Sequence, residues 1–390
     1  MSASDVYVDE HVFEGGPPRR IQMSLGLVKP DEPRVVRRTL FAAGVAWIPL
    51  AILTTAQTIF FADGSAGWFV RDIAVHARYL IAVPALILAE TDCIPRLEHI
   101  VRHFVVSGLI TDADLPRYQR AVASTRRLLN SSYGDVIAII AAYLAVIGLS
   151  SYITPALVSN WQRSGPLHFS LAGWWHSFIS LPLLLIFFFG WLWRVVLWGR
   201  FLFLVARMDL QLLPSHPDKA GGLKFVSISL RGFRLISLGM GAIAAGAVAD
   251  RVVYHGETLL SFRGLMIGLG IVILILFAGP LTVFVARLRQ ARRRGIFTYG
   301  LLANQLGREF EAKWLSGNTH VQPDVLQQPD FSATTDFYGV AANVYEMRDL
   351  PFTLRDLIGP LLPALLPFVV VALFTVPPHV VVDSTIKLLL

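Results

Sequence analysis

Seven stretches of the chain are apolar for long enough to cross a bilayer. They run over Leu40–Phe61, Ala74–Ala89, Val136–Val158, Phe178–Trp198, Leu235–Tyr254, Leu265–Val285 and Leu357–Val376. A helix needs about 20 mostly apolar residues to cover ~30 Å of hydrocarbon. The second stretch is the weakest, because His76 and Arg78 shorten it. The pattern predicts an all-α, polytopic transmembrane bundle of about seven spans. Polar segments alternate with the spans. A polar N-terminal segment covers 1–39, helices 1–2 cover 40–92, and a hairpin of two amphipathic helices covers 93–132. Helices 3–4 fill 133–206, a polar loop 207–234, helices 5–6 235–286, a basic helix and loop 287–355, and the last helix with its tail 356–390. In the hairpin Leu97, Val101 and Phe104 keep helical spacing, and a second piece runs from Leu115 to Leu129 with Asp112 or Asp114 able to start it. The stretch "SGNTHVQPDVLQQPDFSATTD" reads as loop.

Composition agrees with the pattern. Hydrophobic residues are 54% of 390 and charged residues 16%, against about a quarter charged in soluble domains. The net charge of +7 raises the question of nucleic acid. Position answers it. With the N-terminus in the cytoplasm, Lys and Arg crowd the cytoplasmic connections, from Arg19–Arg38 through Arg96–Arg127 and Lys219–Arg234 to the "RLRQARRR" run at Arg287–Arg294. The opposite connections hold few. Topology therefore accounts for the excess charge, no nucleic-acid partner is needed, and anionic lipid headgroups are the expected partner of that face. The first 39 residues carry no early apolar run, so no cleavable signal peptide is expected. The single cysteine, Cys93, rules out an internal disulfide and a cysteine-based metal site. No cofactor is expected.

The most distinctive polar stretch is "LLPSHPDKAGGL", Leu212–Leu223. One reading is a structural corner, with Ser215 and Asp218 spaced as a capping box and Gly221 or Gly222 ending a turn. Another is a ligand site, with His216, Asp218, Lys219 and the amides around Gly221 and Gly222 facing an anion or phosphate. A J-domain is the third, because its hallmark loop is HPD. Only the tetrapeptide matches, and flanking spans leave no room for that domain. The wider stretch "DLQLLPSHPDKAGGLKF", with "SGLI" before "STRRLLNS" and "VYEMRDLPFTLRDL" before the last helix, resembles a family of bacterial multi-pass inner-membrane proteins carrying an HPD(K/R)AGGL loop. That resemblance implies an inner-membrane protein without a known activity, so it carries over no functional residue.

Other candidates are weaker. His99 and His103 share a helix face, but Arg96 and Arg102 oppose a cation, so no metal site is expected. Thr54, Thr55, Gln57 and Thr58 could line a polar path or bond a neighbouring helix. Arg194 lies about 24 Å down its span, within reach of the cytoplasmic headgroups, and no span places an ionisable group clearly at its centre. Trp161, Trp174 and Trp175 suit interfacial anchoring. Gly241, Ala245 and Ala249, and Gly264 with Gly268, allow close helix approach within one chain or between copies in a homo-oligomer. Pro360, Pro363 and Pro367 should bend or break the last span.

Three functions follow as expectations. The first is non-enzymatic: an ion or small-solute pathway, or a membrane assembly component. The second is a membrane-bound enzyme acting on a lipid or phosphorylated substrate at the cytoplasmic face. The third is a sensor or scaffold docking a soluble partner near Arg292–Arg294. A pathway requires a continuous polar channel. An enzyme requires His216, Asp218 and a distant carboxylate or histidine in one cleft.

Overall fold

A computed structural model of the chain describes residues 12–17, 35–152, 160–163, 168–315 and 329–375. Its main helices, in chain order, are α1 (Val35–Phe61), α2 (Ile73–Val106), α3 (Leu115–Leu129), α4 (Ser132–Tyr152) and α5 (Leu171–Ala206). They continue with α6 (Arg234–His255), α7 (Leu259–Phe277), α8 (Val285–Trp314), α9 (Pro329–Tyr345) and α10 (Leu354–Thr375). Seven of these, all but α3, α8 and α9, are long and apolar enough to cross a membrane. The protein is an all-α, multi-pass helical bundle. One end, the basic end, carries α3, α8, α9 and the 207–233 connection.

Burial and hydropathy run in opposite senses, as expected when lipid is the outer solvent. The α7 window has mean hydropathy 2.4 and is only 6% buried, whereas that of α2 has 1.6 and is 56% buried. A helix facing hydrocarbon must be apolar all round; one enclosed by protein can carry polar groups if neighbours bond them. The second stretch thus looks weak because it is central. It also continues through the first half of the expected hairpin as one helix, with Leu97, Val101 and Phe104 buried.

Polar groups at the end opposite the basic one explain how α2 begins. Asp72 accepts from Val75 N (2.9 Å) and from Trp161 Nε1 (2.8 Å), while Asp250 of α6 accepts from Ile73 N and Ala74 N. Trp161 is fully buried in this node rather than anchored at an interface. Short π-helical segments at Ala77–Ala82 and His176–Ser180 bring the Tyr79 hydroxyl within 3.0 Å of His176 Nδ1.

Several expectations change. The sixth span stops at Phe277, and a 3₁₀ segment containing Pro280 (Gly279–Phe284) separates it from α8. The polar stretch expected as loop is helical from Pro329, a residue suited to a first turn, and Phe337 stacks on Tyr299 of α8. Beyond 375 the tail lies outside the described residues, as do 316–328. α10 runs unbroken across its three prolines. Gly241 does meet α10: a Cβ there would stand 2.1 Å from the Ala364 carbonyl oxygen. Gly264 and Gly268 have nothing within 4 Å among the described residues. Arg194 is not extended toward solvent; it is 2% exposed and bonded to Gly15 O inside the bundle.

Candidate functional site

The connection from α5 to α6 is built as a hub at the basic end. It leaves α5 by pairing with the turn after α2: Gln211 N donates to Leu109 O (2.9 Å), and Asp209 N donates to Asp114 Oδ2 (2.8 Å). That amide, with Arg117 beside it, holds the Asp114 carboxyl below the usual carboxylate range. Pro214 then seats against α8 at Gly295, where a Cβ would stand 2.5 Å from the proline. Ser215 Oγ lies 3.1 Å from Tyr299 Oη.

From Leu213 the chain closes a loop. Asp218 organises it: Oδ1 accepts from Ala220 N (2.8 Å) and Gly222 N (3.1 Å), and Oδ2 from Lys224 N (3.1 Å). No capping box forms, because the carboxylate reaches forward to these amides. Lys219, Gly221 and Gly222 have φ of 56°, 63° and 93°. A Cβ on Gly221 would stand 3.0 Å from the flexible end of Met347, so the positive φ is the main reason for glycine there. Lys219 holds its left-handed backbone because it is tied at both ends. Its carbonyl accepts from Arg348 N (2.7 Å), and its Nζ pairs with Glu346. The ammonium in turn holds the Glu346 carboxyl below its ordinary value. Lys219 therefore links the loop to the end of α9, and its charge is engaged away from the glycine amides.

His216 Nδ1 lies 2.8 Å from Asp218 Oδ1 and 3.2 Å from the Asp218 amide nitrogen. The Asp218 amide donates to Nδ1, so the ring is held against the loop through that nitrogen.

The loop forms one wall of a cleft of ≈ 670 Å³. Other walls come from the C-terminal end of α2 (His103, Ser107), from Phe225–Arg231, and from Asp356 at the start of α10. His103 packs edge-on against Phe225 (4.4 Å) and lies parallel to His99 (6.1 Å). Among the described residues, no three His, Cys, Asp or Glu side chains are grouped to hold a metal. Formal charges in the lining cancel, but their commitments differ. Asp218 is engaged by three amides, and Asp356 accepts from the Thr353 amide and hydroxyl. Lys224 and Arg231 are exposed and in no ion pair among the described residues. A ligand entering the cleft meets cations first.

No protein-family model, curated protein or solved structure matches this chain.

Of the predicted loop residues, His216, Asp218, Gly221 and Gly222 line the cleft and Lys219 does not. Sequence reasoning missed Lys224 and Arg231 because nothing local distinguishes them from other basic residues in connections. In the first-span stretch the polar groups bond the backbone. Thr54 Oγ1 donates to Leu50 O, Thr55 to Ala51 O and Thr58 to Thr54 O, while Gln57 Oε1 accepts from Ala172 N. In the basic run, Arg289 and Arg292 pair with Asp349.

Proposed function

We propose that this chain is a multi-pass protein of a bacterial inner membrane, of the HPD(K/R)AGGL-loop kind, with its basic end in the cytoplasm. There it binds a small phosphate-bearing ligand in the cleft, with the His216–Asp218 pair as its proton-transfer group. The observation that carries this reading is the convergence of His216, Asp218, His103, Lys224 and Arg231 on one cleft. These residues come from two separate stretches of sequence, the end of α2 and the connection from α5 to α6. The enzyme-like alternative required such a meeting, and that supports it over the pathway reading. An imidazole beside two cations that make no ion pair among the described residues suits a phosphorylated substrate: the cations hold the anion and the imidazole exchanges a proton.

The test is titration calorimetry of the purified chain in maltoside micelles with inorganic phosphate and glycerol 3-phosphate. Lys224→Gln and Arg231→Gln should each weaken binding about tenfold, ~1.4 kcal/mol. Wild-type protein that binds neither probe, or variants that bind as wild type does, would overturn the reading.

A further inference from the structure

Residues 12–17, Val-Phe-Glu-Gly-Gly-Pro, are threaded into the bundle between the start of α4 and the middle of α5. Val12 and Phe13 are 1% and 0% exposed, and the Phe13 ring sits edge-on to Trp198 (5.6 Å) and Phe201 (6.4 Å). Both sides are shaped for the fit. A Cβ on Gly15, whose φ is +119°, would stand 2.1 Å from Asn130 Oδ1. On the wall, a Cβ on Gly190 would stand 2.6 Å from the Pro17 carbonyl oxygen, and one on Gly134 3.0 Å from the Pro17 ring.

Beneath this strap lies a buried charge cluster. Arg194 donates to Gly15 O (2.7 Å), Pro17 O (3.0 Å) and Glu90 Oε1 (3.2 Å). Arg38 donates to Glu90 Oε2 (2.8 Å), and its buried Nε has no acceptor among the described residues. Thus one carboxylate serves two guanidinium groups. Arg38 stands in the first turn of α1, where the exposed apolar side chains of Val36 (68%) and Leu40 (70%) flank the exposed Arg37. The cluster therefore lies where hydrocarbon gives way to headgroups. None of its residues lines the cleft.

A buried guanidinium must have acceptors. Here the two terminal nitrogens of Arg194 each donate to a neutral carbonyl oxygen, Nη1 to Pro17 O and Nη2 to Gly15 O, the two donors a bidentate oxyanion also takes. Phosphate oxygens are charged and pair with arginine more strongly than carbonyls do. The geometry points to a second anion site: a phosphate slot at Arg194, with Arg38 joined to it through Glu90, whose Arg194 donors are filled in this structure by the chain's own residues 12–17. Strap and phosphate compete for the same donors. At that depth the source is the phosphodiester of an anionic lipid, with free phosphate as the alternative. Binding releases the strap and leaves the Glu90–Arg38 pair in place.

Hydrogen exchange with mass analysis reads this on the unmodified protein. Amides of residues 13–16 are followed in maltoside micelles, in micelles doped with phosphatidylglycerol, and in micelles with inorganic phosphate at equal phosphate concentration. Phosphatidylglycerol should speed exchange about tenfold or more. If inorganic phosphate does the same, the slot takes free phosphate; if it does not, the lipid is the ligand. Arg194→Gln should give fast exchange in all three conditions, and Lys224→Gln should leave the response intact. Equal protection in all three conditions, or slow exchange in Arg194→Gln, would overturn the proposal. So would a response lost in Lys224→Gln and kept in Arg194→Gln, since the effect would then belong to the cleft.

Discussion

Replacing Asp218 tests whether one carboxylate holds the cleft wall in shape. Its two oxygens accept three main-chain amides at 2.8, 3.1 and 3.1 Å. A hydrogen bond to a charged group contributes roughly 1.5–3 kcal/mol net, and a neutral one about 1 kcal/mol. The amides border a solvent-sized cleft, so water can replace part of what is lost. Asp218→Ala should then open the loop by about 3 kcal/mol, a factor on the order of 100 in local exchange of the Ala220, Gly222 and Lys224 amides. Asp218→Asn can keep Oδ1 as a neutral acceptor for two amides and presents an NH₂ to the third. It should cost about 1–2 kcal/mol, close to a tenfold change. His216→Ala leaves all three amide bonds in place and should stay near wild type. Exchange in Asp218→Ala within about threefold of wild type would refute the assignment. So would Asp218→Asn exchanging as fast as Asp218→Ala.

Four further outcomes follow from packing and charge. Gly241→Ala forces a methyl into the Ala364 carbonyl, 2.1 Å away, and should destabilise by about 1–3 kcal/mol; Gly264→Ala, with nothing within 4 Å, should leave the thermal midpoint at a fixed scan rate unchanged. Thr55→Val removes a hydroxyl bonded only to its own helix at Ala51 O and should shift the same midpoint by less than that of ~0.5 kcal/mol. Because Lys219 depresses the Glu346 carboxyl, their tie supports the loop above the ordinary value of 4.5 and is lost as pH falls through the depressed value, which exchange at Lys219–Gly222 would follow. Asp114 behaves with the same sign: its hold on Asp209 N should fail only below its ordinary value of 3.8, and Asp114→Asn should weaken that hold at neutral pH.

Much of the bundle was legible along the chain because hydrocarbon imposes a local rule. A segment that crosses it must be apolar for about 20 residues whatever it packs against. The seven stretches obey that rule, and the amphipathic spacing of Leu115–Leu129 marked α3 at its observed bounds. Asp218 and the two glycines were legible as a shaped loop because turn chemistry is also local. What a polar side chain does inside the bundle is not local. Arg194 looked able to reach headgroups, yet its acceptor Gly15 O lies 179 residues away in sequence. Trp161 looked interfacial, yet its acceptor is Asp72, 89 residues earlier. The weak second stretch became the most buried span for the same reason, since polarity is tolerated where other helices answer it. Sequence alone thus determined which segments lie in lipid and where the chain turns. Only the tertiary structure decided which helices are central, what each buried charge faces, and that Lys224 and Arg231 share a cleft with His216, because those pairings are made between segments that carry no local mark of each other.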